Sequence, residues 1–450
     1  MRFLLWLFVA IGVAASLYLS YQIGTQAILV GSREGRWFYF YLASFRPTIL
    51  LACAAASATG LAALYLSDRV GHASEWLVVL VWFVAAVVIE AAICSLAPFP
   101  FDKIFASDGA NSFNTVASHF TPGTMLGDFE SVRKLWPPHG QSNMPGKSIF
   151  VYGLRRISRS GIVLPWLVVI VSNLGGLLMY GLVRDLLQSR RAALYALILY
   201  IVVPGKMFFF PLLNTVTPVP ALLATWLLVR WLRTGGLAYA ALLGLSVYVL
   251  ALWEPLGLAL GLLFVTLIIA SYRTSIEPRA LVWGLLAGAV MFGVAYGVMV
   301  VRFRFDLLST VRLLAADAVR FNEATRRPHE IWVYQNLFDF LVAVGACQAV
   351  LVVGALVDGF ARGKGSLTRL AEPVVAFSLG LAGVVLVLDW LGVNRGEVVR
   401  LWIFLACLCQ IPAAYVCARL ESPIAIALIF TVTLLYDALG TAMVGFILPG

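Results

Sequence analysis

The sequence predicts an all-α polytopic membrane protein, and three observations carry that expectation. Of 450 residues, 62% are hydrophobic and only 12% are charged, where a soluble chain carries roughly a quarter charged. The mean hydropathy is +0.94. Apolar runs recur along the whole chain, each close to the roughly 20 residues that a helix needs to cross the hydrocarbon layer.

Taken in order, the runs place about thirteen spans, at 3–23, 47–67, 75–97, 161–185, 192–209, 215–232, 237–252, 256–272, 280–301, 333–357, 371–391, 399–417 and 422–447. The first follows Met1-Arg2 and ends in a stretch (SYQIGTQ) with no small-x-small cleavage site, so it reads as a retained helix. The stretch 237–272 is too long for one crossing, and Trp253-Glu254-Pro255 divides it. No internal repeat or low-complexity tract appears, and 1–450 reads as a single integral membrane domain.

Loop charge sets the orientation. With the N-terminus inside, the even-numbered turns carry Arg69, Arg190 with Arg191, Arg230 with Arg233, Arg273 with Arg279, Arg362 with Lys364 and Arg369, and Arg419, as cytoplasmic turns should. Arg33, Arg36 and Arg46 in the first outer connection run against that rule. Under this topology the loop 98–160, the segment 206–214, Glu254, the loop 302–332 and the segment 394–400 all emerge on the outer face. The net charge of +10 is scattered through these turns rather than gathered on one domain, which excludes a nucleic-acid partner and fits contact with membrane lipids. The six cysteines all lie in apolar runs and read as packing residues.

The loop 98–160 concentrates the polar chemistry, and a segment so polar must lie at a membrane surface. Ser107 or Asp108 can cap a short helix running to about His119. Asp108, directly after a span, is alternatively a general base toward an acceptor hydroxyl, with Asp102 as its rival. Asp128 and Glu130 read as the solvated face of an interfacial helix. In Pro137-Pro138-His139-Gly140-Gln141-Ser142-Asn143-Met144-Pro145-Gly146-Lys147, the turns fix His139, Asn143 and Lys147 as donors. Lys147 then opens a helix, a place suited to a phosphate.

The loop 302–332 is amphipathic with six arginines, a basic surface that suits anionic head groups. Arg326-Arg327, ahead of the next span, read as contacts to a lipid phosphate, since guanidinium forks match phosphate oxygens. In Asn394-Arg395-Gly396-Glu397-Val398-Val399-Arg400, Glu397 and Arg400 are spaced i, i+3 and can pair. Glu254 reads as lining the same cavity, with Asn214 on the same face.

Several of these features resemble the integral membrane glycosyltransferases of the GT-C superfamily, over about residues 98–300. The similarity rests on Asp108 after an early span, on Phe113 and Ala117 spaced as aromatic-x-x-x-Ala, and on Asn143-Met144-Pro145-Gly146, where relatives carry a His-Pro-Pro-Gly-like turn. The segment 214–235 is similar to bacterial relatives of the protein O-mannosyltransferases, with Asn214 where these often have Asp. Gly396-Glu397-Val398-Val399-Arg400 is similar to a late Gly-Glu-x-x-Arg motif. The resemblance implies an inverting transfer of sugar from a polyprenyl-phosphate donor to an acceptor at the outer face of a bacterial inner membrane. Asp108, His139 and Glu397 would be catalytic, and Lys147, Arg326, Arg327 and Arg400 would hold the donor phosphate. The polyprenyl-phosphate sugar is the donor substrate, and the resemblance fixes no cofactor. His139 and nearby acids are the one place for a divalent metal, though no ligand spacing supports one. The second expectation is a transporter or flippase for a lipid-linked or anionic solute. It ranks lower because the acids and bases gather at one face rather than within the spans.

Overall fold

The protein is built almost entirely of helices in the computed structural model, which describes every residue except 71–73, 274–275, 363–371 and 450. Among the described residues, eleven helices are long and apolar enough to cross a membrane, from Arg2–Gly24 to Pro423–Met443. The helices His329–Val344 and Ala346–Arg362 form a pair bent by 98°, and Leu237–Trp253 is a shorter apolar helix of 17 residues. Each expected span therefore has its helix. Trp253-Glu254-Pro255 does divide 237–272, because Pro255 opens a separate 3-10 segment, Pro255–Leu260. The bend after Val344 falls at Gly345, whose φ of 93° favours a residue without a side chain.

Ion pairs tie the connections into two groups. At one end, Asp185 meets Arg230 at 3.3 Å and Arg233 at 2.7 Å, and Glu75 meets Arg190 at 3.4 Å. Asp358 meets Arg362 at 3.1 Å and Arg419 at 3.5 Å, and Arg2 pairs with Glu421. These are the short basic turns, gathered as the charge pattern requires. Lys364 and Arg369 lie outside the described residues.

The odd-numbered connections meet at the other end. Residues 25–46 fold back as a hairpin in which Gly31 faces Phe38 and Ser32 faces Trp37. Its turn docks on the tenth span: the Trp332 indole donates to the Gly35 carbonyl at 3.1 Å, and the Gly31 N–H donates to Asp339 at 3.0 Å. The arginines that break the charge rule therefore sit with the other odd connections.

The loop 98–160 is a chain of short helices ending in Pro145–Ile157. Phe105, Phe113, Met125, Phe129 and Trp136 bury themselves in a second apolar core, joined by Phe305, Leu307 and Leu314 of the 302–332 segment. The helix Leu307–Ala324 starts where Asp306 accepts the Leu308 and Ser309 N–H groups at 2.9 and 3.1 Å. It keeps Arg312 and Arg320 exposed. Asp128 and Glu130 are exposed, as a solvated face should be.

Arg133 and Asp317 pair at 2.7 Å across the two long loops. In a chain stripped of its native cysteines, Arg133→Cys with Asp317→Cys should be joined by a short bismaleimide bridge, which spans the reach of an Arg–Asp pair where a direct disulfide is too short. Failure to form it, with the two positions labelled from opposite membrane sides, would contradict this arrangement.

Candidate functional site

The odd-numbered connections enclose a cavity of about 400 Å³. Its charged lining is Arg36, Arg327, Arg400 and Glu397, with His139 beside them and Trp37, Tyr39, Phe321 and Phe446 supplying aromatic walls. Three guanidiniums face one carboxylate, so the cavity favours an anion.

Arg327 is the best-held of these groups. It is only 5% exposed, and its guanidinium lies between the rings of Trp37, at 4.8 Å, and Phe321, at 4.9 Å. It donates to the Arg395 carbonyl at 2.7 Å, while Arg395 donates back to the Arg327 carbonyl at 2.9 Å. Glu397 lies 3.4 Å away through Oε1, and its Oε2 accepts from Arg400. The i, i+3 pairing of Glu397 and Arg400 thus forms as the spacing predicts.

The turn carrying Glu397 is fixed from the tenth span. Asn336 donates to the Asn394 carbonyl at 2.8 Å and accepts the Gly396 N–H at 3.1 Å. Gly396 has φ of 91°, and a Cβ there would fall 2.9 Å from the Trp332 ring, so no other residue fits without displacement. Burial, and next the field of Arg400, push the His139 imidazole down to about 4, against the pull of Glu397 and a backbone hydrogen bond with Gly109. His139 is therefore neutral at neutral pH. Burial and the Glu397 charge raise the Tyr39 phenol, which stays protonated.

The remaining residues expected at the site divide. Asp108 is exposed in the first turn of Asp108–Asn111 and accepts the Thr115 hydroxyl at 2.5 Å. The cap is Ser107, whose hydroxyl accepts the Ala110 N–H at 3.1 Å, so Asp108 is free of that role. Its neighbour Gly109 lines the cavity, whereas Asp102 is exposed and outside the lining. Arg326 is exposed, turned away from Arg327 by its own left-handed backbone, φ 51°.

Lys147, Asn143 and Glu254 form a cluster of their own rather than lining this cavity. Lys147 is 1% exposed and donates to Glu254 at 2.7 Å and to Asn143 at 2.8 Å. Gly146 allows this contact, because a Cβ there would come 2.4 Å from the Leu252 carbonyl oxygen. The Lys147 ammonium is engaged by Glu254 and Asn143 and does not line the arginine cavity, so a donor phosphate held there would compete with the Glu254 carboxylate. Asn214 lies half-buried in a 3-10 turn next to Leu213 and is not part of the lining. Among the described residues no group of three or more His, Cys, Asp or Glu side chains could hold a metal.

Sequence reasoning missed Arg36, Trp37, Tyr39 and Phe321. The misplaced positive charges of 33–46 were the available signal for the first three. It also missed Glu90 and Asp437, buried within the membrane-spanning core, and Lys206, expected on the outer face, is buried with them inside the span Arg190–Phe208. No known family model matches the chain, and no curated protein matches it either.

Two outcomes follow from this geometry. Lys147→Met leaves the Glu254 carboxylate buried and unpaired and should destabilise by about 3–5 kcal/mol. An unchanged melting temperature together with lost anion binding would return Lys147 to the phosphate site. Because the folded His139 titrates below its usual value near 6.5, the unfolded chain binds more protons between pH ~6.5 and ~4. Its contribution to stability is complete above that window and falls away as pH drops through it. His139→Gln should flatten this part of the melting-temperature profile, and an unaltered slope would contradict the assignment.

Proposed function

We propose that this chain is a membrane glycosyltransferase of GT-C type that moves a sugar from a polyprenyl-phosphate donor to an acceptor hydroxyl. The acceptor would stand at the outer face of a bacterial inner membrane. The observation that carries this reading is the Arg327–Glu397–Arg400 group in an aromatic cavity lined by the first, third, fifth, ninth and eleventh connections. Guanidinium forks suit the departing lipid phosphate, and aromatic walls suit a sugar ring.

Each residue then has a task. Arg327, Arg400 and Arg36 stabilise the phosphate that departs when the anomeric C–O bond breaks. Both Glu397 oxygens are engaged by arginines, so Glu397 holds those cations in place. Asp108 forms no ion pair among the described residues and stands one residue from the cavity wall. It takes the proton of the acceptor hydroxyl as that oxygen attacks the anomeric carbon with inversion. His139, neutral in the lining, orients the acceptor. The lipid-linked donor is its substrate, with surrounding lipids as partners.

A transporter or flippase for a lipid-linked or anionic solute is the second reading, favoured by Glu90, Lys206 and Asp437 inside the spans. Incubating purified protein with polyprenyl-phosphate sugars separates the two. Release of free lipid phosphate supports transfer, whereas movement of intact donor across a vesicle without release supports transport.

Under the transfer reading, Asp108→Asn should lower turnover by on the order of 10²–10⁴ with little change in melting temperature, since Ser107 supplies the cap. Full activity would move the base to His139. Arg327→Gln should raise KM for the donor more than it lowers kcat, because the phosphate is bound before reaction. An unchanged KM would contradict the phosphate assignment.

A further inference from the structure

Deep to the cavity, where the third, fifth and last spans meet, lies a set of ionisable groups that the candidate site does not use. Lys206 is 0% exposed. Its ammonium donates to Glu90 Oε1 at 2.8 Å and to Asn173 Oδ1 at 2.8 Å. Asn173 in turn donates to Glu90 Oε2 at 2.5 Å. The rings of Tyr200 and Phe210 lie 4.5 and 5.2 Å from the ammonium and close the shell.

Asp437, on the helix Pro423–Met443, is also 0% exposed. Lys206 is the cation whose field reaches it. Cys53, Cys94 and the adjacent Tyr436 are the other titratable groups that interact with it. Neither Asp437 carboxylate oxygen has a hydrogen-bond partner. A buried polar group left in that condition is costly, and a buried charge far more so.

Glu90 thus holds the Lys206 ammonium, while Asp437 is a second buried carboxyl with no hydrogen-bond or ion-pair partner among the described residues. With all three ionised, the group would hold one uncompensated negative charge inside the membrane-embedded core, which is costly. One further positive charge restores neutrality, and the bare oxygens of Asp437 mark where it goes. We propose that the Glu90–Lys206–Asp437 group binds one monovalent cation, a proton or a sodium ion, at Asp437.

A small chamber lies on the same helix. Thr441 is one helical turn from Asp437, and its hydroxyl likewise has no partner. It lines a cavity of about 20 Å³ together with Cys94, Phe208 and Phe446, enough for about one water-sized species. Phe446 also lines the larger cavity, so the small chamber borders the candidate site. The inference is independent of the sugar-transfer reading.

The test uses full-length protein in lipid nanodiscs and infrared spectroscopy in sodium-free buffer at neutral pH. The wild type should show the carbonyl stretch of one protonated carboxyl per chain that Asp437→Asn lacks. Glu90→Gln removes the same charge, leaves Lys206 to balance Asp437, and should lose the band too, so the test survives if one variant fails to fold. Sodium in the proton's place would appear as a melting temperature raised by sodium chloride but not choline chloride, in the wild type and in neither variant. An unchanged carboxyl band in both variants, with no sodium effect on the wild type, would overturn the proposal.

Discussion

The Arg327 guanidinium is the joint on which the odd-numbered end of this protein depends. It stacks between Trp37 of the first connection and Phe321 of the ninth, on the helix Leu307–Ala324. Its hydrogen bond to the Arg395 carbonyl and its approach to Glu397 bring in the segment before the twelfth span. Three stretches distant in sequence thus converge on one planar cation. Burial lowers the Arg327 pKa, with the Glu397 charge opposing, so the cation persists because carboxylate, carbonyl and ring faces replace its water.

The other buried cations answer the same constraint differently. Lys147 and Lys206 each have one carboxylate and one asparagine within 2.8 Å. These two ammonium groups are satisfied by the protein itself and anchor helices. The arginines of the cavity instead keep a net positive excess over Glu397, which leaves them suited to an anion from outside. The distinction between a closed pair and an open excess separates structural charges from candidate ligands here.

Much of the fold was legible in the sequence, because hydrocarbon thickness dictates span length and turn charge dictates parity. The Glu397–Arg400 pair was legible as well, from its i, i+3 spacing; the equally local contact in which Asn143 accepts from Lys147 was not, since both side chains read as donors there. Partners across the bundle were not. Glu90 lies within an apolar run, and nothing local announces Lys206 as its partner. Arg326 and Arg327 look equivalent in the sequence, yet a left-handed backbone at Arg326 exposes one and the aromatic pair buries the other. The arginines of residues 33–46 looked like a topological exception, although Arg36 lines the cavity.

The most direct test is an experimental structure of the full chain with a polyprenyl phosphate bound in lipid. The account predicts the phosphate between the Arg327 and Arg400 guanidiniums, with the prenyl chain leaving past Phe446, Ile447 and Leu448, which line the same cavity. A phosphate seated at the opposite end, among Arg190, Arg362 and Arg419, with the arginine cavity unchanged, would contradict it.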